Sequence, residues 1–391
     1  MVLLLIKQYD LKASDSTKYG FYLAKHEAAD YPAELFKDWY KDPPYLKMSV
    51  KKVLFYIGGM ALGDYVMLNP TLAAFRNAFP NAELSIVGCP SKVVQMLAQE
   101  AGVMDRLFWS KIKKHRPWFY KKYKELWDYG KVLGGIDLLV DTQRQFLPSL
   151  VLSLCFDYKY RIGYSSKCFF SDWKFEEPNR PKVHDTYQSL MLARRLGIKP
   201  LSPLHSIRIP EWVEKEIEVL FRNIDGDNII AMFPLVSFND PCRQWPVNYW
   251  MRLTELLSDE GYEIILFGDP GRIDILQEIK GKNRAKVFWN LLNERQREYE
   301  IFFCIATLRK ASCVIGLESG GSHLAAACGA RTLTLAPATR LGRYAPLGND
   351  SWVIYSNLLE SKEELTTSER VEIINSLTPE VVLDAVGKIV S

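Results

Sequence analysis

Three groups of side chains stand where chemistry could be done. Asp64 closes the run Val53-Leu54-Phe55-Tyr56-Ile57-Gly58-Gly59-Met60-Ala61-Leu62-Gly63-Asp64, in which an apolar β-type segment passes through glycines into a helix-forming stretch. A carboxylate there has two uses: capping the helix, worth about 1 kcal/mol, or taking a proton from a hydroxyl. A dinucleotide turn is disfavoured, because glycines at 58, 59 and 63 miss the G-x-G-x-x-G spacing. The second group is Glu318-Ser319-Gly320-Gly321-Ser322-His323, again between an apolar run, Cys313–Leu317, and a helix-forming stretch. Glycine lets backbone approach a ligand, and a helix start offers unpaired N–H groups with partial positive charge. A diphosphate suits such a turn, with Ser319 or Ser322 donating to its oxygens; so does a capped, buried helix carrying a hydrogen-bonded histidine. Arg243, within Phe233–Pro246, completes the set as a bidentate donor to phosphate oxygens or as half of a loop ion pair.

Alternating strands and helices must hold these residues. Lys51–Ile57, Ala82–Gly88 and Ile136–Asp141 read as buried strands, with helices over Tyr65–Phe79, Ser91–Ala101 and Leu147–Phe156. The alternation pauses around Pro200–Asp227 and restarts with strands Asn228–Pro234, Glu263–Gly268, Cys313–Gly316 and Arg331–Ala336. Helices are expected at Asn248–Glu260, Arg297–Lys310 and Ser322–Cys328, and Thr378-Pro379-Glu380 opens the last one. Strands alternating with helices imply βαβ units and parallel sheets. The expected organisation is an extension over 1–47, an α/β domain over 48–206, a linker over 207–227, and a second α/β domain over 228–391. In this scheme the extension is a docking element or an arm on the first domain, and the last helix packs back on that domain.

Bulk properties narrow the class. A chain of 391 residues exceeds one ordinary core. A net charge of +4 is too small to argue for nucleic acid. Met1–Ile6 is too short to span a bilayer and lacks the layout of a signal peptide, and no later apolar run is long enough to cross. Seven scattered cysteines without a Cys-x-x-Cys pair fit a reducing compartment and offer no zinc-ligand spacing. The expectation is a cytoplasmic protein.

Motifs in order along the chain resemble glycosyltransferase family 9, the ADP-heptose:lipopolysaccharide heptosyltransferase group. They are Gly59–Asp64 through Asn69-Pro70 to Phe79-Pro80, Asp137–Gln143, Arg161-Ile162-Gly163-Tyr164, Arg243-Gln244-Trp245-Pro246, Glu318–Ala326 and Ala336-Pro337-Ala338-Thr339. The resemblance implies a GT-B fold, two Rossmann-like parallel-sheet domains facing a cleft, and an inverting transferase needing neither metal nor cofactor. It implies Asp64 as general base, and Arg243, Ser319, Gly320, Gly321, Ser322 and His323 on the donor diphosphate. Glu318, Ser237, Asp269 and Thr339 fall on the nucleotide and sugar side, with Asp274 a second approximate counterpart of the family's ribose-binding acid. Gly63, Gln143, Arg161, Lys121 and Lys122 fall on the acceptor side. The implied donor is a nucleotide-diphosphate sugar such as ADP-heptose, and the implied acceptor an anionic glycolipid or glycan such as lipopolysaccharide core. Two positions depart from the pattern: Arg243 replaces a lysine, and Glu318 replaces an aspartate that shapes the donor site.

Between Arg106 and Lys131, cations alternate with aromatic residues including Trp109, Trp118, Tyr120 and Trp127. Such a stretch suits peripheral contact with the inner face of the cytoplasmic membrane, or is a solvated helix–loop face. Three other functional readings stay open: a family member with a different donor sugar, a degenerate non-catalytic member, and, remotely, an NAD(P)-dependent oxidoreductase.

Overall fold

The structure is a computed structural model, and it describes residues 5–11, 19–26, 44–88, 90–110, 119–142, 146–164, 173–175, 183–199, 202, 204, 207–222, 228–236, 243–281, 285–336, 341–361 and 365–390. The chain divides into two compact units, one over Ala29–Arg208, the other combining Val2–Ala28 with Ile209–Ser391. The first described elements are β1 (Leu5–Leu11) and β2 (Phe21–His26), an antiparallel pair belonging to the second unit.

The first unit carries β3 (Lys52–Gly58), β4 (Glu83–Gly88), β5 (Arg106–Trp109), β6 (Ile136–Asp141), β7 (Tyr158–Tyr164) and β8 (Trp173–Phe175). All pair in parallel, in the order β5-β4-β3-β6-β7-β8. Parallel strands are covered on both faces, so they read as continuous apolar runs; Val53 to Ile57 are all buried. The helix Leu62–Ala78 lies on β3 through an edge-to-face contact of Phe75 with Phe55, centroids 5.0 Å apart. The chain goes outward from β3 to β4 and β5, then returns to lay β6 on the other side of β3. The carboxyl end of β3 beside β6 is thus a topological switch point, where α/β sheets open a crevice for ligands.

The second unit adds β9 (Ile229–Phe233), β10 (Glu263–Leu266), β11 (Lys286–Val287), β12 (Cys313–Leu317), β13 (Thr332–Leu335) and β14 (Ser351–Ser356). Its sheet runs β1-β2-β14-β13-β12-β9-β10-β11, parallel from β9 to β14, with β2 antiparallel to β14. Here the order reverses between β9 and β12. Trp245 and Trp250 are wholly buried and cross at 4.8 Å, and Trp245 Nε1 donates to Leu377 O at 2.8 Å. That bond ties the helix Val247–Asp259 to the C-terminal helices Thr367–Ser376 and Pro379–Val390.

Three expectations about organisation need correction. Residues 5–11 and 21–26 are not an arm on the first domain; they widen the second sheet, with Phe21, Leu23, Ala24 and His26 buried. The stretch expected as a linker contains the helix Glu211–Arg222, which packs through Val213 and Ile217 and lies against the helix Glu300–Lys310. The last helix packs within its own unit, against Val247–Asp259 and β1. In each case buried apolar residues gave the segment a sheet or helix of the second unit to cover.

Candidate functional site

Both glycine turns lie at switch points, one in each unit. In the first unit the chain leaves β3 through Gly58, whose φ of 58° is left-handed. The backbone here is packed tightly: a Cβ on Gly88 would lie 2.8 Å from Gly58 O. Gly63 and Asp64 follow in the first turn of the helix Leu62–Ala78. The N-cap is Ala61, which has no side-chain acceptor; instead its own N–H donates to Asp64 Oδ2 at 3.3 Å. Asp64 is solvent-exposed. It therefore caps weakly while presenting an exposed carboxylate just past the carboxyl end of β3. Across the switch point, Thr142 Oγ1 donates to Tyr56 O at 2.8 Å, pinning the end of β6 to β3.

Arg161 has a different place from the one expected. Its side chain is fully buried, its Nη2 lies 2.7 Å from Asp141 Oδ2, and its Nη1 donates to Ser153 Oγ. The guanidinium joins β7 to β6 from inside, with none of its side chain exposed. Lys121 and Lys122 lie in the helix Phe119–Leu133, but their side chains are outside the described residues, as is Gln143.

In the second unit β12 runs into Glu318 and Ser319, and the helix Gly320–Ala327 begins. Ser319, the N-cap, is buried, and its hydroxyl makes no capping bond. Ser322 Oγ, by contrast, donates to Leu317 O at 2.6 Å, so this hydroxyl is already engaged with backbone. Two glycines serve packing: a Cβ on Gly316 would meet Ser322 Oγ at 2.6 Å, and one on Gly321 would meet Phe233 Cδ1 at 2.5 Å. Ligand approach alone does not explain them.

The charges of this turn form a connected set. Glu318 Oε2 lies 3.1 Å from Arg243 Nη2, and Glu318 Oε1 lies 3.6 Å from His323 Nε2. Arg243 Nη2 also donates to the main-chain oxygen of Glu318. Side-chain exposure is 29% for Arg243, 12% for Glu318 and 4% for His323, so water screens the set poorly. Arg243 Nε is buried and has no hydrogen-bond partner among the described residues. The structure thus brings Arg243, Glu318, Ser319 and His323 together at one helix start. A partly buried guanidinium beside a helix start is chemistry for an oxyanion.

Two residues that sequence reasoning missed flank this region. His26, at the end of β2, donates from Nδ1 to Pro346 O at 2.9 Å. Burial lowers its pKa, and nearby His323 adds to that lowering. Glu300 opens the helix Glu300–Lys310 close enough to Asp269 to feel its charge; burial first, then Asp269, raises the Glu300 pKa to about 7. Asp269 caps a 3-10 turn over Pro270–Arg272, accepting from Gly271 N at 2.9 Å. Asp274 lies in the first turn of the helix Ile273–Lys280. Both pairings join segments far apart in the chain, and no local pattern signals them. Ser237 and Thr339 lie outside the described residues. Among the described residues no group of three or more His, Cys, Asp or Glu could hold a metal, and no helix is long and apolar enough to cross a membrane.

Two doubly wound units, each with its candidate turn at a switch point, are the architecture of the GT-B fold. The model of glycosyltransferase family 9 (heptosyltransferase) matches residues 127–373, and the chain belongs to that family. A lipooligosaccharide heptosyltransferase 2 of Campylobacter jejuni is 22% identical over 339 residues, covering 84% of this chain and 96% of the relative. The crystal structure of a family 9 glycosyltransferase from Veillonella parvula superposes with a TM-score of 0.70 at 16% identity, covering 87% of this chain and 97% of that one. The E. coli heptosyltransferase WaaC with ADP gives 0.63 at 17% identity, covering 86% and 99%. The family resemblance, the GT-B fold and the glycosyltransferase class expected from the motifs are therefore correct. The matched range contains Arg243 and Glu318–His323 but not Gly59–Asp64.

Proposed function

We propose that this enzyme transfers a heptose-like sugar, with inversion and without a metal ion, from a nucleotide-diphosphate donor to an anionic cell-envelope glycolipid of the lipopolysaccharide-core type. The observation that carries the proposal is the Arg243, Ser319 and His323 cluster at the helix start after β12. Support for the class of donor and acceptor comes from the lipooligosaccharide heptosyltransferase 2 relative and from ADP in the structure of WaaC.

In the proposed reaction Asp64 accepts the proton of the acceptor hydroxyl as its oxygen bonds to the anomeric carbon. The bond from that carbon to the diphosphate oxygen breaks, and the nucleoside diphosphate leaves with the electron pair. The helix N–H groups and Arg243 take up the negative charge that develops, and a single displacement inverts the anomeric centre. In the same reading Asp269, with Glu300 close to it, would hydrogen-bond hydroxyls of the donor.

The test is a donor screen read by mass spectrometry, offering ADP-heptose and other nucleotide sugars with extracted lipid and polysaccharide acceptors. Asp64→Ala should fold normally and lose transfer by several orders of magnitude; full activity in that variant would remove the base assignment. A second reading, a non-catalytic member, draws on the Glu318–Arg243 pair, which occupies the guanidinium that a donor needs. Calorimetry without affinity for any nucleotide sugar would favour it.

The proposal extends to peripheral contact with the cytoplasmic face of the membrane. On the helix Phe119–Leu133, Trp127 is exposed between Lys124 and Lys131. Between residues 106 and 131 only Glu125 and Asp128 oppose the run of cations. Co-sedimentation with anionic vesicles at low salt is the check. A protein left in the supernatant would reduce this stretch to a solvated face.

A further inference from the structure

We infer that Glu318 is a built-in counter-ion of Arg243, holding in the unliganded protein the guanidinium that the donor diphosphate takes on binding, and so setting how tightly this chain holds its donor. The inference rests on the diphosphate reading of the turn and adds a specificity-determining residue to it.

The argument starts from the geometry of a guanidinium. It can grip an oxyanion in bidentate fashion along two edges, Nε with Nη2 or Nη1 with Nη2. Nη2 belongs to both. In this structure Nη2 of Arg243 is held by the carboxylate of Glu318 at 3.1 Å and by the main-chain oxygen of the same residue. A bidentate hold on phosphate therefore requires Glu318 to give up Nη2. Nε, buried without a partner among the described residues, is the half of that grip left waiting.

Charge leads to the same exchange. A diphosphate arriving beside the Glu318 carboxylate would meet a like charge in a site with little water, where repulsion is strong. The carboxylate has somewhere to go: its other oxygen already lies 3.6 Å from His323 Nε2. Moving off Arg243 and onto His323 would free one N–H of Nη2, the other staying on the main-chain oxygen, and retain a partner for the acid. A glutamate can span both groups, whereas one methylene less shortens its reach. Glu318 thus competes with the donor for Arg243, and releases it only to a ligand that offers more negative charge.

The test uses the full-length protein and two probes, inorganic pyrophosphate and ADP, titrated by calorimetry. Glu318→Gln keeps the shape and removes the charge; it should bind both probes about five- to tenfold more tightly, the scale of one partly buried ion pair. Glu318→Asp should fall between Glu318→Gln and the wild type. Arg243→Gln should weaken both probes, and adding Glu318→Gln to it should gain less than Glu318→Gln gains in the wild type. If Glu318→Gln folds normally but binds pyrophosphate no better than wild type, the counter-ion inference fails while the diphosphate site stands. If neither probe binds any of the folded proteins, the diphosphate reading falls and the inference with it.

Discussion

The ring of Phe233 stands where a side chain on Gly321 would have to go. Phe233 ends β9, Gly321 lies in the first turn of the helix after β12, and a Cβ on the glycine would sit 2.5 Å from the ring. The ring in turn stacks on Phe267 at 5.2 Å, so it cannot easily withdraw. β9 and β12 are joined by their backbone ladder, and the glycine–aromatic contact sets the helix start that follows β12 against the end of β9.

Gly321→Ala should consequently destabilise the second unit by about 1–3 kcal/mol, the usual cost of overpacking. Phe233→Leu in the same background should recover part of that loss, a coupling that urea unfolding of the single and double variants would measure. A stability-neutral Gly321→Ala would mean the ring moves freely, and the contact would not set the helix start.

The buried pair in the first unit makes the second prediction. Arg161 and Asp141 meet at 2.7 Å with neither side chain exposed. Removing one partner leaves an uncompensated charge in the core, so Arg161→Met should cost about 3–5 kcal/mol. Asp141→Asn combined with it should regain much of the loss. Retained stability together with a raised acceptor KM would return Arg161 to the acceptor side.

These two sites show how far the chain could be read in advance. β3, β6, β9 and β12 were legible because strands buried on both faces are unbroken apolar runs, and each glycine turn follows such a run. β7 was not, because Tyr158-Lys159-Tyr160-Arg161 looks like surface until Asp141 neutralises the arginine. The strands of residues 5–26 were missed for a related reason. They join the sheet through the pairing of β2 with β14, more than 300 residues away, and no local period reports that pairing. The type of each candidate residue was visible; the state of its side chain was not. Ser322 and Glu318 are both polar residues at a helix start, yet one is bonded to Leu317 O and the other to Arg243.

The third prediction concerns His26. Burial lowers its folded pKa below the ordinary 6.5, while the unfolded chain titrates near that value. Below pH 6.5 the unfolded state binds a proton that the native state refuses, so stability is fully present above 6.5 and falls as the pH drops. His26→Asn keeps a donor for Pro346 O without a titrating ring. Denaturant midpoints between pH 5 and 7.5 should show a shallower slope for the variant, and identical slopes would remove His26 as the cause.

Glu300 acts with the opposite sign. Its folded pKa of about 7 lies above the ordinary 4.5, because the carboxylate is shielded from water and faces Asp269. The native state therefore holds a proton that the unfolded chain has already lost. The resulting stability is whole below pH 4.5 and drains away as the pH rises through 7. Glu300→Gln imitates the protonated acid at every pH. It should match the wild type near pH 4.5 and exceed it by about 1–2 kcal/mol at pH 8, after allowance for the partial exposure of the site. Asp269→Asn should give part of the same gain, since burial is the larger cause and the neighbouring charge the smaller. Guanidinium unfolding of the three proteins across pH 5–8 decides the matter: curves that stay parallel would show that Glu300 is ionised throughout, and its carboxyl could then only accept hydrogen bonds from a donor hydroxyl.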